Sequence, residues 1–218
     1  MRYLAIKRLD DRQVELACVA LARDHPELAV VYRTYGAPPL WARPTGFATL
    51  LNIILEQQVS LASAKACFDK LACHVGDVTP VSVLELSDAD LRTVGFSRQK
   101  TAYARHLAAE IIHERMDLVS LDGLPDAEVK AELLTLKGVG EWTAGVYMLM
   151  AMLRPDVMPR GDIALHAAYQ KLTGADMRPG SDEFIAIAER WRPFRSVAAR
   201  LLWHFYLSER PANRNKAR

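Results

Sequence analysis

An all-α fold is predicted from three observations in the 218-residue sequence. Between Phe47 and Val59, the side chains of Phe47, Leu50, Leu51, Ile54, Leu55 and Gln58 recur at steps of three and four, the period of an amphipathic helix. Helix start and stop signals then alternate along the rest of the chain. Hardly any run alternates β-branched residues as a strand would, and only AVVYR at 29–33 fits either state.

The prefix before residue 45 reads as helical and ends in APPLWARP at 37–44, a Pro-rich stretch suited to a linker. Thr45 is placed to cap the helix that opens at Phe47. Ser60 interrupts that helix, and a second one follows with Ala64, Cys67, Phe68, Leu71 and Ala72 on one face. Further starts are Thr79 before Pro80, Ser87 with Asp90 three residues on, and Ser97 before RQKTAYARHLAAEII. Pro125 heads DAEVKAELL and Ser181 precedes DEFIAIAERW. Gly76, Gly95, Gly138 and Gly174 read as stops. About ten helices joined by short connections result, more than a four-helix bundle and without the self-similarity of a repeat array. The domain reading is a helical segment and linker at 1–44, a core at 45–209, and a basic tail at 210–218 with little to bury and expected to fray.

Composition excludes several classes. With 50% hydrophobic and 25% charged residues the chain is an ordinary globular one, neither disordered nor fibrous. A net charge of +2 lacks the basic footprint of many nucleic-acid binders. Local charge is less even: Arg92, Arg98, Lys100 and Arg105 fall together without an acid, and Arg190, Arg192, Arg195 and Arg200 recur near helical spacing, so either row could track phosphates or form a solvated face. Cys18, Cys67 and Cys73 include no Cys-x-x-Cys pair, which supports no disulfide framework or metal cage and suits a reducing compartment. The start has no signal-like apolar region, and the longest apolar stretch, GVYMLMAML at 145–153, is about half of what a bilayer span needs. A cytoplasmic, nucleoid-associated chain that does not cross membranes is expected.

The most informative segment is LLTLKGVGEWTAGVYMLMAML at 133–153. Two short helices are joined by Lys137-Gly138-Val139-Gly140, a turn that needs glycine where φ is positive and where another backbone must come close. The helix opening at Glu141 presents unpaired N–H groups and the positive end of its dipole, an anion site independent of base sequence.

Leu-x-Gly-Val-Gly-x-Trp-Thr-Ala, followed by Asp in Pro159-Arg160-Gly161-Asp162, resembles the helix-hairpin-helix DNA glycosylases, in particular the DNA-3-methyladenine glycosylase II type. Glu56-Gln57-Gln58-Val59-Ser60 is similar to that family's Gln-x-Val-Ser helix junction, Gly95 to Ala108 to its lysine-containing helix, and RWRPFRSVAARLLWHFYLSE at 190–209 to its C-terminal helix. The matches run in order over roughly residues 45–209.

The resemblance implies two intimately packed helical subdomains with the active-site cleft between them. It also implies a monofunctional enzyme of base excision repair that flips an alkylated purine of the 3-methyladenine or 7-methylguanine type out of double-stranded DNA and hydrolyses its N-glycosidic bond. Gln58, with Gln57, matches the wedge that fills the gap. Trp142 and Trp203, and less directly Tyr147 and Trp41, match an aromatic pocket suited to a cationic base. Asp162 matches the carboxylate that stabilises an oxocarbenium-like sugar and orients water, and it also stands where a helix N-cap would. His166, one turn on, reads as a packing residue. Gly138, Val139, Gly140, Thr143 and Lys100 match contacts to the DNA backbone.

Three departures sharpen the expectation. Relatives that cut the strand carry a lysine where this chain has Trp142, so no lyase step is expected. The quartet of C-terminal cysteines that holds an iron–sulfur cluster in other branches is missing, so neither cofactor nor metal is expected. The β-rich N-terminal domain of some members is expected to be absent or replaced. A monomer is expected. A glycosylase for oxidised or deaminated bases and a non-catalytic DNA-binding module are the alternatives.

Overall fold

The computed structural model describes residues 7–209, and the tail expected at 210–218 lies outside the described residues. These contain twelve α-helices, two short 3-10 turns and no strand. The helices are α1 Asp11–Asp24, α2 Pro26–Tyr35, α3 Phe47–Glu56, α4 Leu61–Val75, α5 Pro80–Glu85 and α6 Asp88–Thr93. They continue with α7 Arg98–Ile112, α8 Asp126–Leu134, α9 Glu141–Met150, α10 Ile163–Thr173, α11 Ser181–Ala188 and α12 Arg195–Ser208. AVVYR falls inside α2, where Leu28, Ala29 and Val31 are buried at helical spacing. Thr79, Ser87 and Ser97 cap α5, α6 and α7, each side chain accepting from an N–H of the first turn.

Two starts differ from expectation. Gly46, not Thr45, begins α3, at φ +115, and its N–H donates to the Tyr147 hydroxyl at 2.9 Å. Gly180 rather than Ser181 precedes α11. In both, a glycine one residue away takes the backbone turn, and serine or threonine lies too late or too early to bond the first N–H groups.

The chain divides into two compact units. One is continuous, Ala42–Met152. Its centre is α3, where Leu50, Leu51, Ile53, Ile54 and Leu55 are all buried, packed by α4, α7 and α9. Five such side chains stabilise the unit by about 1.5–3 kcal/mol each before entropy is counted. Here α5 lies on α7 and α8 lies on α9.

Among the described residues, the other unit joins 7–41 with 153–209. Its centre is α12, flanked by α1, α2 and α10, with Val197, Ala198, Leu201 and Leu202 buried. Phe184 and Trp191 meet Tyr169 edge-on in the same unit. The arginine row here is not a free cationic face. Arg190 pairs with Glu27, and Arg192 and Arg195 pair with Asp156 and Glu189. Arg200 is wholly buried, donating to the carbonyls of Leu40 at 3.0 Å and Ser196 at 3.2 Å, and burial pushes its pKa down to about 10. No described helix is long and apolar enough to cross a membrane.

Candidate active site

In the Ala42–Met152 unit, α8 and α9 form the predicted hairpin. Gly138 lies at φ +88 with the ring of Tyr103 against it, so close that a Cβ would come within 2.3 Å of the ring. Tyr103 is a neighbour of the hairpin that the sequence did not single out, because nothing in its helix pattern ties it to the hairpin. Gly140 is the N-cap of α9 and no side chain caps that helix. The N–H groups of Gly138, Gly140 and Glu141 make no hydrogen bond to the described residues. Three open amides at a helix N-terminus suit an anion.

Not every expected backbone contact is available. The Val139 N–H donates to Leu136 O at 3.0 Å and its side chain is buried. The Thr143 hydroxyl is buried and accepts from Gln57 Nε2 at 2.8 Å. Lys100 donates Nζ to Leu55 O at 2.6 Å, so it caps the C-terminal end of α3 instead of projecting toward a phosphate. Partial burial holds its pKa below the usual lysine value. Lys137, at the hairpin turn, is exposed.

The wedge candidates also separate. Gln57 ends α3 and spends its amide on Gly138 O and Thr143 Oγ1, both at 2.8 Å. Gln58 takes φ +58 and is exposed, with exposed Val59 beside it. Of the aromatic candidates here, Trp142 is half-buried on α9. Tyr147 is 0% exposed and its hydroxyl holds the start of α3, so it offers no face to a base; a pattern match on aromatic type cannot distinguish a wall from a prop.

In the other unit Asp162 and Trp203 are brought together. Asp162 is the N-cap of α10, and its Oδ1 accepts from Leu165 N–H at 3.0 Å and from Trp203 Nε1 at 3.3 Å. Asp162 is 8% exposed and Trp203 9%. Two donors on one oxygen hold the carboxylate rigidly in place. Trp41 stands edge-on to His204 at 6.4 Å, on the strand of loop whose Leu40 carbonyl Arg200 holds. His166 is buried against Phe184 with ring centroids 4.5 Å apart, and burial, opposed by the Asp162 charge, keeps its pKa below the ordinary value.

An all-helical chain carrying a glycine hairpin with open amides and a capped carboxylate has the layout of a helix-hairpin-helix protein. The profile of the HhH-GPD superfamily base excision DNA repair proteins matches residues 51–193, and the chain belongs to that superfamily of DNA glycosylases. It is similar to a crystal structure of a DNA-3-methyladenine glycosidase from Bacillus halodurans, with 29% identity, TM-score 0.72, and 94% of this chain and 93% of that one covered. The Schizosaccharomyces pombe 3-methyladenine DNA glycosylase, solved in complex with abasic DNA, shares the fold at TM-score 0.82 and 22% identity, covering 92% of this chain and all of that one. DNA-3-methyladenine glycosylase 1 of the same yeast is 25% identical over 161 residues, 72% of this chain and 71% of that protein.

Proposed function

We propose that the chain is a monofunctional glycosylase that releases alkylated, positively charged purines from double-stranded DNA and leaves an abasic site. The observation that carries this is the Asp162 carboxylate, nearly buried, fixed by a cap bond and by the Trp203 indole N–H. A pure DNA binder gains nothing from a rigid buried carboxylate near a polyanion. An N-glycosidic cleavage does, because positive charge develops on the sugar as the bond breaks, and a preorganised anion stabilises it without reorganisation. Asp162 is accordingly assigned to charge stabilisation and to orienting water, and Trp203 to holding Asp162 while offering an aromatic face.

An N-alkylated purine is already a good leaving group, so a strong general acid is unnecessary. Aromatic faces hold such a cation with up to ~2 kcal/mol when water is excluded, and Trp203, Trp142 and Trp41 are the candidates. The open amides of Gly138, Gly140 and Glu141 are assigned to one run of phosphates, and exposed Gln58 to the gap left by the flipped nucleotide. The names of the relatives support the substrate class, and Trp142 in place of an amine nucleophile supports hydrolysis without strand cleavage.

The test is a panel of duplexes carrying single lesions. Release of 7-methylguanine and 3-methyladenine, with strand breaks appearing only after alkali and no borohydride-trapped adduct, is expected. Release confined to neutral oxidised or deaminated bases, or a trapped covalent adduct, would overturn the assignment.

A further inference from the structure

The turn between α3 and α4 is held at two points. On one side Lys100, from α7, donates to Leu55 O at 2.6 Å in the last turn of α3, where a cation also opposes the negative end of the helix dipole. On the other side both donors of the Gln57 amide are used, one on Gly138 O at the hairpin turn and one on Thr143 Oγ1 in the first turn of α9. Between these anchors the backbone leaves the helix at Gln57 with ψ 127 and turns through Gln58 at φ +58. Gln58 is followed by Val59, 46% exposed, and Leu61, 60% exposed, large apolar side chains left open to solvent. The tip cannot be re-aimed without moving Gln57, and Gln57 cannot move without releasing the hairpin.

We propose that Gln57 is a positioning residue that ties the insertion turn at Gln58 and Val59 to the hairpin, so that gripping a phosphate run fixes where the turn enters the duplex. The proposal rests on the assignment of the hairpin to phosphates and of Gln58 to the gap. Gly138 serves both sides of the tie. Its N–H has no hydrogen-bond partner among the described residues while its carbonyl is held by Gln57, so the grip and the tie meet at one residue. Lys100 is the second anchor, fixing the helix end from which the turn departs. Rigid two-point support matters because a misplacement of about 1 Å at an inserting or reacting group costs on the order of a hundredfold in rate.

The experiment uses the full chain and a duplex in which 2-aminopurine faces a tetrahydrofuran abasic analogue. Insertion of the turn unstacks the probe and raises its emission, whichever lesion the enzyme prefers. Gln57→Leu is expected to lose about tenfold in affinity for the abasic duplex, together with the emission rise. Its affinity for undamaged duplex and its salt slope should stay within about twofold of wild type, because the phosphate contacts are unchanged. Gln58→Ala is expected to show the same loss, and the double variant Gln57→Leu, Gln58→Ala no more than either single one. Thr143→Val, which keeps the shape and removes one acceptor, should move partway in the same direction and guards against a folding defect in Gln57→Leu. Unchanged emission in Gln57→Leu overturns the proposal. So does an equal fall in affinity for both duplexes, or a double variant whose loss is the product of the singles. A wild type that inserts into the abasic duplex but releases no alkylated base would sink the substrate assignment and leave the tie standing.

Discussion

Replacing Gly138 by alanine brings two separable costs to the hairpin. At φ +88 an L-residue is strained by about 1 kcal/mol. The added Cβ would lie 2.3 Å from Tyr103 Cγ and 2.4 Å from its Cδ2, distances that force the ring aside. Overpacking of that kind costs about 1–3 kcal/mol. The sum, ~2–4 kcal/mol, is roughly a 30- to 1,000-fold shift toward the unfolded state and a large share of a typical domain's stability. Urea denaturation followed by circular dichroism measures it, with an unchanged m-value showing that the denatured state is the same. In a Tyr103→Ala background the steric part should vanish, leaving a favourable coupling of ~1 kcal/mol or more between the two substitutions. Gly140 is the internal control: its φ is −100 and no atom lies within 4 Å of an added Cβ, so the fold should accept alanine there. Gly140→Ala is expected to cost less than ~1 kcal/mol in stability while weakening DNA binding at all sequences, since a methyl group would stand where a phosphate approaches. A Gly138→Ala protein within ~0.5 kcal/mol of wild type would refute the packing argument.

Trp203→Phe keeps an aromatic face but loses the N–H on Asp162; base release under single-turnover conditions should slow about tenfold with duplex affinity unchanged, and equal rates would show that the indole N–H is idle. Burial of His166, opposed by Asp162, holds its pKa below 6.5 in the folded chain, so as pH falls the unfolded chain binds that proton first. Stability should therefore decline from about pH 6.5 downward through the folded-state value, and His166→Leu should flatten that decline in urea midpoints; an unaltered slope would contradict it. Asp156→Asn removes the mostly buried carboxylate that the mostly buried Arg195 binds at 2.8 Å and the more exposed Arg192 at 3.3 Å, and should lower stability by about 2 kcal/mol. A thermal midpoint unmoved by Asp156→Asn would mean that Glu189 alone supports both arginines.

The helices were legible in the sequence because their signals are local. Periodic apolar faces, Thr79, Ser87 and Ser97 at N-caps and Gly76 and Gly174 at C-caps depend on residues a few positions apart, and each is where the spacing places it. Asp162 as an N-cap was legible for the same reason. What the sequence hid is set by partners far along the chain. Lys100 meets Leu55 and Gln57 meets Gly138 across 45 and 81 residues, and both distances are invisible to helical periodicity. Tyr147 shows the same limit: its spacing on α9 does not tell whether the ring faces an opening or, as here, props Gly46 from within. The arginines at 190–200 share a spacing that suggests a phosphate track, and only the fold reveals that carboxylates and carbonyls already occupy them.

The assignment of chemistry to Asp162 is tested most directly by base release from methylated duplex DNA, wild type and Asp162→Asn side by side. Asparagine keeps the cap acceptor for Leu165 and the shape of the side chain while removing the charge. A loss of several orders of magnitude in release, with duplex binding retained or tightened, is the expected result. Release by Asp162→Asn at the wild-type rate would contradict it.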